Sequence, residues 1–446
     1  MNGAPLKLRR ALIVGLGVSG LSAARYLRAT GCAVTVIDSR AEPPQRAALL
    51  ALDPAIAVHT GPFDSALLEG IDALIVSPGV ALQGAFFDAA RARHLPLIGD
   101  IELFARAANA PVAGITGTNG KSTVTTLVGR MADRGGKRVR VGGNLGDPAL
   151  QLLDAKAELY VLELSSYQLQ TTDSLTLEAA TVLNVTPDHL DRYASVEEYA
   201  AAKARIFRRC GTAVINADDP RTLAMVPAGQ RALRFSLTGG SGAEFALLER
   251  ADGAWLACRG QALLAASELK IAGRHNIANA LAALAMGEAL GVGLPSRLTA
   301  LREFTGLPHR TQWVADIKGV RYIDDSKGTN VGATLAAVSG LPAPLLLIAG
   351  GEGKGQDFLP LRAALKGKVR LALLIGRDAP ALGTALAGVC AIEYCPSLEA
   401  AVRRAAASAR AGEIVLLSPA CASFDMFRDY AHRGAVFAAT VRELAA

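Results

Sequence analysis

A glycine-rich loop between an apolar run and an amphipathic run constrains this chain more than any other feature. Residues 111–116 predict a short buried strand, and the segment from Ser122 onward carries apolar side chains at helical spacing. The stretch Gly117 to Gly120 lies between them. It therefore directs free backbone N–H groups, and the positive end of a helix, towards one point. Such a point binds phosphate.

Side chains of this loop suit a nucleoside triphosphate. Lys121 supplies a positive charge for the outer phosphates, and the hydroxyl of Ser122 or Thr123 is a ligand for Mg²⁺. A standard phosphate-binding loop has glycine at position 115, where this chain has Ile115. The alternative is a glycine-rich turn with an incidental lysine. The residues that we expect to contact the triphosphate here are Gly117, Thr118, Asn119, Gly120, Lys121, Ser122 and Thr123.

Length and composition predict several folded domains. At about 150 residues per domain, 446 residues correspond to three. With 51% hydrophobic and 20% charged residues, the chain can bury several cores and is not disordered. The net charge of +7 suits small anionic substrates, and no dense stripe of lysine and arginine favours nucleic acid.

The sequence predicts neither an exported protein nor one that is inserted into a membrane. Lys7 to Arg10, followed by an apolar run, imitate a signal peptide. Glycines at positions 15, 17 and 20 instead indicate a strand and a turn. No run approaches the ~20 apolar residues of a membrane span. Six cysteines without CxxC pairs fit a reducing compartment, so we expect a cytoplasmic protein.

The first part of the chain predicts a Rossmann-like domain. Residues 11–38 read as strand, glycine turn, helix and strand, and Asp38 closes the second strand. Asp38 fits a ribose of NAD and equally a ribose of another nucleotide. The run 73–76 predicts a further strand, which places the loop from Ser77 to Gly79 at the same sheet edge. Residues 96–100 read as a linker.

Strands of the central part also end in polar residues. Glu163 ends an apolar strand, where burial is costly unless the carboxylate meets a cation, so a magnesium ligand is favoured over a structural hydrogen bond. A lone histidine is usually structural, but His189 follows another strand of the same domain. Residues 195–209 predict a helix with Ser195 as N-cap and Glu198 completing a capping box. Lys203 on that helix reads by itself as a surface lysine.

The last part of the chain alternates strands and helices. It predicts a doubly wound domain with functional loops after its strands. The complete prediction is an α/β protein of three domains: an N-terminal Rossmann-like domain at 1–100, a central phosphate-loop domain at 101–306 and a C-terminal Rossmann-like domain at 307–446.

Seven motifs in sequence order resemble those of the Mur ligases. They are Gly117–Thr123, Glu163–Gln168, Asn184–His189, His275-Asn276 with Asn279, His309-Arg310, Asp325–Asn330 and Gly350–Lys354. The opening Gly15–Gly20 and the ending Ser418–Asp425 are most similar to those of the glutamate-adding branch of the family. Two departures from the usual motifs are Gly328 in place of alanine and Glu352 in place of aspartate.

The resemblance implies a function. The first domain would hold a uridine nucleotide rather than NAD. The chain would use ATP to join glutamate, D-glutamate being expected, to UDP-N-acetylmuramoyl-L-alanine through an acyl phosphate, in peptidoglycan precursor synthesis. ATP, two Mg²⁺ sites and a carbamylated Lys203 are implied as cofactors. The expected partners are these small molecules, with no nucleic acid and no membrane, and the expected state is a monomer.

The resemblance also implies roles for individual residues. Lys121, Glu163, His189 and Lys203 would be catalytic. The metal ligands would be Ser122, Glu163, His189 and carbamylated Lys203. Beyond the phosphate loop, ATP would contact Asn276, Asn279, Arg310, Asp325 and Lys327. The substrates would contact Gly17, Val18, Ser19, Asp38, Ser39, Ser77, Gly79, Asn144, Ser165, Lys327, Thr329, Lys354, Ser423, Phe424 and Tyr430.

Overall fold

Three sheets, each formed from one continuous stretch of chain, make up the computed structural model. It describes residues 6–240, 242–271, 273–341 and 344–444. The sheets have five, nine and six strands, and helices connect most of the parallel strands. The predicted α/β class with three such units is therefore confirmed. Each sheet lies within one of the three predicted residue ranges, whose boundaries stay a prediction.

The first sheet is entirely parallel. Its strands are β1 (Arg10–Val14), β2 (Ala33–Asp38), β3 (Ala57–Thr60), β4 (Ala73–Val76) and β5 (Leu97–Ile98). Its helices are α1 (Val18–Ala29), α2 (Arg46–Leu52), α3 (Ala85–Ala92) and α4 (Asp100–Ala107). The strand order is β3-β2-β1-β4-β5, as in a Rossmann-like sheet.

The linker predicted at 96–100 is wrong. Leu97 and Ile98 pair with β4 as the fifth strand, and α4 begins at Asp100. Two residues are too few for an alternating pattern to show, so this strand becomes visible only through its pairing.

The central sheet adds an antiparallel extension to a parallel sheet. Its strands are β6 (Val112–Thr116), β7 (Val139–Gly143), β8 (Leu159–Glu163), β9 (Leu177–Val182), β10 (Cys210–Asn216), β11 (Ala232–Ser236), β12 (Phe245–Arg250), β13 (Gly253–Cys258) and β14 (Gln261–Ala265). Its helices are α5 (Lys121–Arg134), α6 (Ser166–Gln170), α7 (Val196–Ala204), α8 (Pro220–Ala224), α9 (Arg274–Ala289) and α10 (Leu294–Glu303). The order is β14-β13-β12-β11-β10-β9-β6-β8-β7, and β13 is antiparallel to both of its neighbours, β12 and β14.

The helix predicted at 195–209 is shorter than expected. The α-helix ends at Ala204, and Arg205–Phe207 continue as one 3₁₀ turn. Ser195 is the N-cap and accepts a hydrogen bond from the backbone N–H of Glu198. The Glu198 carboxylate, however, accepts from the N–H of Ala194, so the predicted capping box is only half formed.

The third sheet is parallel except at one edge. Its strands are β15 (Gln312–Ile317), β16 (Val320–Asp324), β17 (Leu345–Gly350), β18 (Val369–Ile375), β19 (Ala391–Tyr394) and β20 (Ile414–Leu417). Its helices are α11 (Val331–Gly340), α12 (Leu361–Leu365), α13 (Ala379–Leu386), α14 (Leu398–Ser408) and α15 (Tyr430–Glu443). The order is β15-β16-β20-β17-β18-β19, with β15 antiparallel to β16.

Burial on both faces explains the apolar strands that carry the site. Every residue of β6, β8 and β17 is buried, as expected for parallel strands covered by helices on both sides. In the central sheet, Ile115 is in register with Glu163, and Thr116 with Val182. The loops after β6, β8 and β9 therefore leave the same sheet edge. Among the described residues, no helix has the length and apolar character needed to cross a membrane.

Candidate functional site

The loop after β6 has the geometry predicted for it. Gly117 and Gly120 have φ angles of +143° and +87°, which other residues rarely adopt. A Cβ atom on Gly120 would lie 2.3 Å from Oδ1 of Asn279, so the packing also requires glycine there. Helix α5 begins at Lys121, immediately after the loop. The predicted succession of strand, loop and helix is present.

Lys121 lies inside this loop. Its Nζ donates to the carbonyl oxygens of Gly117 and Thr118, each at 2.8 Å. Burial lowers the pKa of Lys121, while the carboxylates of Glu163 and Asp188 act in the opposite direction. The ammonium group is therefore held by the loop's own carbonyl groups, in reach of an anion that the loop would bind.

Glu163 is the buried carboxylate at the end of β8. It accepts hydrogen bonds from Ser122 Oγ at 2.6 Å and from Asn144 Nδ2 at 2.7 Å. Arg310 Nη2 in turn donates to Ser122 Oγ at 2.7 Å. Burial alone would raise the pKa of Glu163, but Lys121 and these hydrogen bonds hold it below its usual value. The ionised carboxylate is thus kept beside the hydroxyl predicted to bind Mg²⁺.

His189 and Lys203 lie on either side of Tyr199. The His189 and Tyr199 ring centroids are 6.0 Å apart, and Lys203 Nζ lies 4.4 Å from the Tyr199 centroid. Burial lowers the pKa of His189 to about 4, so its imidazole is neutral at pH 7 and able to bind a metal. The 3.7 Å approach to Asp188 is then not an ion pair.

Lys203 is not a surface residue. It is 1% exposed, and its Nζ donates to the Gly117 carbonyl at 3.0 Å. Burial, followed by the charge of Lys121, places the pKa of Lys203 well below its usual range. The interpretation as a surface residue was wrong because Lys203 lies four positions after Tyr199, on the buried face of α7, and this spacing was the available signal.

Of the predicted metal ligands, Ser122 and Glu163 are joined by a hydrogen bond, and His189 and Lys203 both contact the Tyr199 ring. Lys203 also donates to the Gly117 carbonyl, which accepts from Lys121 as well. Within the described ranges, no group of three or more His, Cys, Asp or Glu side chains is arranged to hold a metal. This donor set fits Mg²⁺, which is often held by one or two carboxylates together with water and substrate phosphates.

A cleft of about 150 Å³ separates the phosphate loop from the third sheet. It is lined by predicted nucleotide residues from both sides: Asn119, Gly120, Thr123, Asn276, Asn279, Arg310, Asp325 and Lys327. Ligand pockets usually measure about 300–1,000 Å³. The cleft must therefore widen to admit a whole nucleotide.

Burial shifts the pKa values of two groups in this cleft, an acid and a base, towards 7. It raises the pKa of Asp325 to about 7 and lowers that of Lys327 to about 7. Asp325 accepts hydrogen bonds from Ser418 Oγ at 2.8 Å and from the Thr311 N–H at 3.0 Å. A Cβ atom at Gly328 would lie 2.6 Å from Asp325 Oδ2. The absence of a side chain at Gly328 thus leaves room for this carboxylate.

A second cavity, of about 790 Å³, lies at the edge of the first sheet and reaches the central sheet. It brings together eight predicted substrate residues: Gly17, Val18, Ser19, Asp38, Ser39, Ser77, Gly79 and Asn144. Arg40 also lines this cavity, although it was not among the predicted substrate residues. Arg40 forms an ion pair with Asp38 at 2.6 Å, and Leu16 N–H donates to the same carboxylate at 2.7 Å. Arg40 follows Asp38 by two positions, so a basic residue beside the ribose candidate was the available signal.

The remaining substrate residues are only partly brought together. Ser165 is absent from the residues lining the 790 Å³ cavity, and its Oγ caps α6 by accepting from the Gln168 N–H at 3.1 Å. Lys327 Nζ lies 3.9 Å from the centroid of the Tyr430 ring. Phe424 is 71% exposed. The N–H of Thr329 donates to the Lys327 carbonyl, and Ser423 is buried at the start of the turn that precedes α15.

Contacts between the central and third sheets join residues whose pairing the sequence did not indicate. Lys354 Nζ and Asp188 Oδ1 are 2.6 Å apart, with side chains 14% and 7% exposed. Asn330 Nδ2 donates to Asp188 Oδ2 at 3.0 Å and to Asn119 Oδ1 at 3.2 Å. Asp188 precedes His189, so the third sheet is connected to the candidate metal loop.

Three family models match successive parts of the chain. They are the Mur ligase MurD-like N-terminal domain at 9–99, the Mur ligase middle domain at 115–287 and the Mur ligase glutamate ligase domain at 309–421. Relatives named UDP-N-acetylmuramoylalanine--D-glutamate ligase include one from Nitrosococcus oceani, 51% identical over 97% of this chain and 96% of its own. Another, from Coxiella burnetii, is 46% identical over 97% and 98%.

Solved structures share the fold at much lower identity. The UDP-N-acetylmuramate-alanine ligase MurC of Thermotoga maritima has a TM-score of 0.61 at 19% identity, covering 98% of this chain and 99% of its own. The MurF ligase of the same organism, solved in complex with ADP, has a TM-score of 0.60 at 16% identity and covers 98% and 96%. With three matching domain models and close relatives over its full length, the chain belongs to the Mur ligase family.

Proposed function

We propose that the protein is an ATP-dependent ligase that joins D-glutamate to UDP-N-acetylmuramoyl-L-alanine through an amide bond. Full-length relatives at 46–51% identity carry the corresponding name. The structural observation that supports the proposal is the position of Asn144 between the cavity of the first sheet and the phosphate loop. It lines the cavity of the first sheet and donates to Glu163, which is bonded to Ser122 of the phosphate loop. A substrate held in that cavity therefore extends towards the triphosphate site.

In the first step, the substrate carboxylate attacks the γ-phosphorus of ATP, releases ADP and becomes an acyl phosphate. The N–H groups of the phosphate loop and the ammonium of Lys121 hold the phosphates and stabilise the developing charge. Mg²⁺ bound by Ser122, Glu163 and His189 would supply further charge neutralisation on the phosphate oxygens. Asn144, in the wall of the cavity, orients the carboxylate towards the phosphate loop.

In the second step, the amine of glutamate attacks the activated carbonyl carbon. The C–N bond forms, phosphate leaves, and the nitrogen loses a proton. Lys354, Lys327 and Thr329 from the third sheet are proposed to bind the carboxylates of glutamate, since ammonium and hydroxyl donors suit a dianion. Ser423, Phe424 and Tyr430 complete the proposed glutamate site.

We also propose that Lys203 is carbamylated. Its neutral amine attacks CO₂, an N–C bond forms, and one proton is released, which converts a buried lysine into an anionic oxygen ligand for Mg²⁺. The 1% exposure of Lys203 and its lowered pKa favour the neutral amine that this reaction needs. NMR of protein equilibrated with ¹³C-bicarbonate would detect the carbamate carbon, and its signal should be absent in Lys203→Arg.

Release of ADP tests the proposed function. We expect turnover only when ATP, UDP-N-acetylmuramoyl-L-alanine and glutamate are all present, and D-glutamate to be used in preference to L-glutamate, lysine or diaminopimelate. Lys121→Ala should abolish turnover, while Lys156→Ala, at an exposed position of the same domain, should not change it. Unimpaired turnover in Lys121→Ala would contradict the proposal. ADP release independent of both co-substrates would do the same.

The first sheet taken alone would also suit a nicotinamide dehydrogenase, but the MurD-like N-terminal domain model that matches residues 9–99 opposes this alternative. Only NADH binding measured by fluorescence would favour it. A regulatory nucleotide-binding module would bind ATP without forming an amide. A cytoplasmic location and a monomeric state stay predictions.

A further inference from the structure

Arg192 leaves the same turn as His189, the candidate metal ligand. The backbone N–H groups of Arg192 and Tyr193 both donate to the His189 carbonyl, at 2.9 and 3.1 Å. His189 itself has a φ angle of +57°, a conformation uncommon for residues other than glycine. The direction of the imidazole and the position of the Arg192 guanidinium are therefore set by one tight turn.

The guanidinium group reaches the first sheet. Its Nη1 donates to the Gly79 carbonyl at 3.0 Å and its Nη2 to the Val80 carbonyl at 3.2 Å. Both residues line the 790 Å³ cavity. Two donors of one planar group thus bind two successive carbonyls in the loop that follows β4, more than one hundred residues earlier in the chain.

The same guanidinium lies over an aromatic ring. Arg192 Cζ lies 4.5 Å from the centroid of Tyr167, and the Tyr167 ring meets the edge of the His189 ring at 5.1 Å. No carboxylate in the described part of the chain lies within ion-pair distance of Arg192. Its polar contacts in the structure are the two carbonyl groups, so a surface ion pair does not account for its position.

We propose that Arg192 is a positioning residue that holds the Gly79–Val80 loop of the substrate cavity in register with the His189 turn. The inference rests on the proposed function, because it concerns the substrate held in that cavity. A molecule that spans from the first sheet to the phosphate loop needs a fixed distance between them. Lysine cannot replace Arg192, since a single ammonium lacks the planar fork that binds two carbonyls and stacks on a ring.

The test compares Arg192→Ala and Arg192→Lys with the wild-type protein. A hydrogen bond from a charged donor contributes enough binding free energy to change an affinity about tenfold. We therefore expect KM for UDP-N-acetylmuramoyl-L-alanine to rise about tenfold in Arg192→Ala. Arg192→Lys should show most of this effect. KM for ATP should stay within about twofold, and methylguanidinium added to Arg192→Ala should restore part of the affinity. Arg208→Ala, which removes an exposed arginine of the same domain, should behave as wild type.

Calorimetric titration of UDP-N-acetylmuramoyl-L-alanine without ATP separates the two hypotheses. If the wild-type protein does not bind this compound, the proposed function fails. If the wild type binds it and Arg192→Ala binds it equally well, the role of Arg192 is refuted while the function stands. An equal rise of every KM with a lowered unfolding temperature would show a merely structural role and would also refute the inference.

Discussion

Removing Lys354 should release the third sheet from the central sheet in the ligand-free protein. Its ammonium lies 2.6 Å from the Asp188 carboxylate, and both side chains are largely buried. At an effective dielectric constant of about 20, the attraction at this distance is about 6 kcal/mol. Desolvation of the two charges offsets much of that energy, and truncating one partner of a buried pair costs about 3 kcal/mol. Asp188 would keep its hydrogen bond from Asn330, so we expect the free-energy cost to stay near this value.

A loss of about 3 kcal/mol corresponds to a more than hundredfold shift towards the undocked state. Small-angle X-ray scattering of Lys354→Met without ligands should therefore show a larger radius of gyration than wild type. Lys366→Met, at an exposed position of the same domain, is the control and should scatter like wild type. Adding Asp188→Asn to Lys354→Met should recover part of the docking, because no unpaired charge then stays buried. Identical scattering of Lys354→Met and wild type would refute this reasoning.

Three other substitutions test local features of the site. Gly120→Ala should weaken binding of an ATP analogue by at least tenfold in a fluorescence titration. Its left-handed backbone conformation costs about 1–2 kcal/mol with a side chain, and the new Cβ atom would also clash with Asn279. Gly136→Ala, the control, has the same backbone strain without a clash and should bind the analogue normally. Gly328→Ala should displace the Asp325 carboxylate and raise KM for ATP; an unchanged KM would show that the carboxylate relocates without consequence. The Asp324 carboxylate, 2.6 Å from the His309 ring, raises the pKa of that histidine. The contact therefore stabilises the fold fully below about pH 6.5, and this stabilisation is lost as the pH rises through the raised pKa. Accordingly, the melting temperature of His309→Asn should fall furthest below that of wild type at pH 6 and least at pH 9.

The phosphate loop could be predicted because its signals are local. A strand, two glycines and a helix start lie within about ten residues, and each has its own physical cause. Glu163 could be predicted for a similar reason, since a carboxylate directly after the four apolar residues Leu159 to Leu162 requires a partner. The structure supplies that partner as Ser122 and Asn144, which the sequence could not indicate.

Contacts that join distant segments could not be predicted. Lys354 and Asp188 are 166 positions apart, and no pattern of spacing connects them. The role of Arg192 could not be predicted, because its acceptors are backbone carbonyls, which carry no signature in the sequence. Lys203 became a candidate through family resemblance alone. Burial of its ammonium is decided by how α7 packs against the phosphate loop, a tertiary property.

The continuity of each sheet along the chain determines when the catalytic machinery becomes complete. The first two sheets and the helices that cover them are finished by Glu303, so they can fold while the ribosome is still making the last third of the protein. Arg310, Asp325, Lys327 and Lys354 are all synthesised later. A nascent or truncated chain can therefore form the triphosphate loop but has neither the far wall of the nucleotide cleft nor the proposed glutamate ligands. Productive turnover is thereby reserved for polypeptides whose synthesis has passed the final sheet.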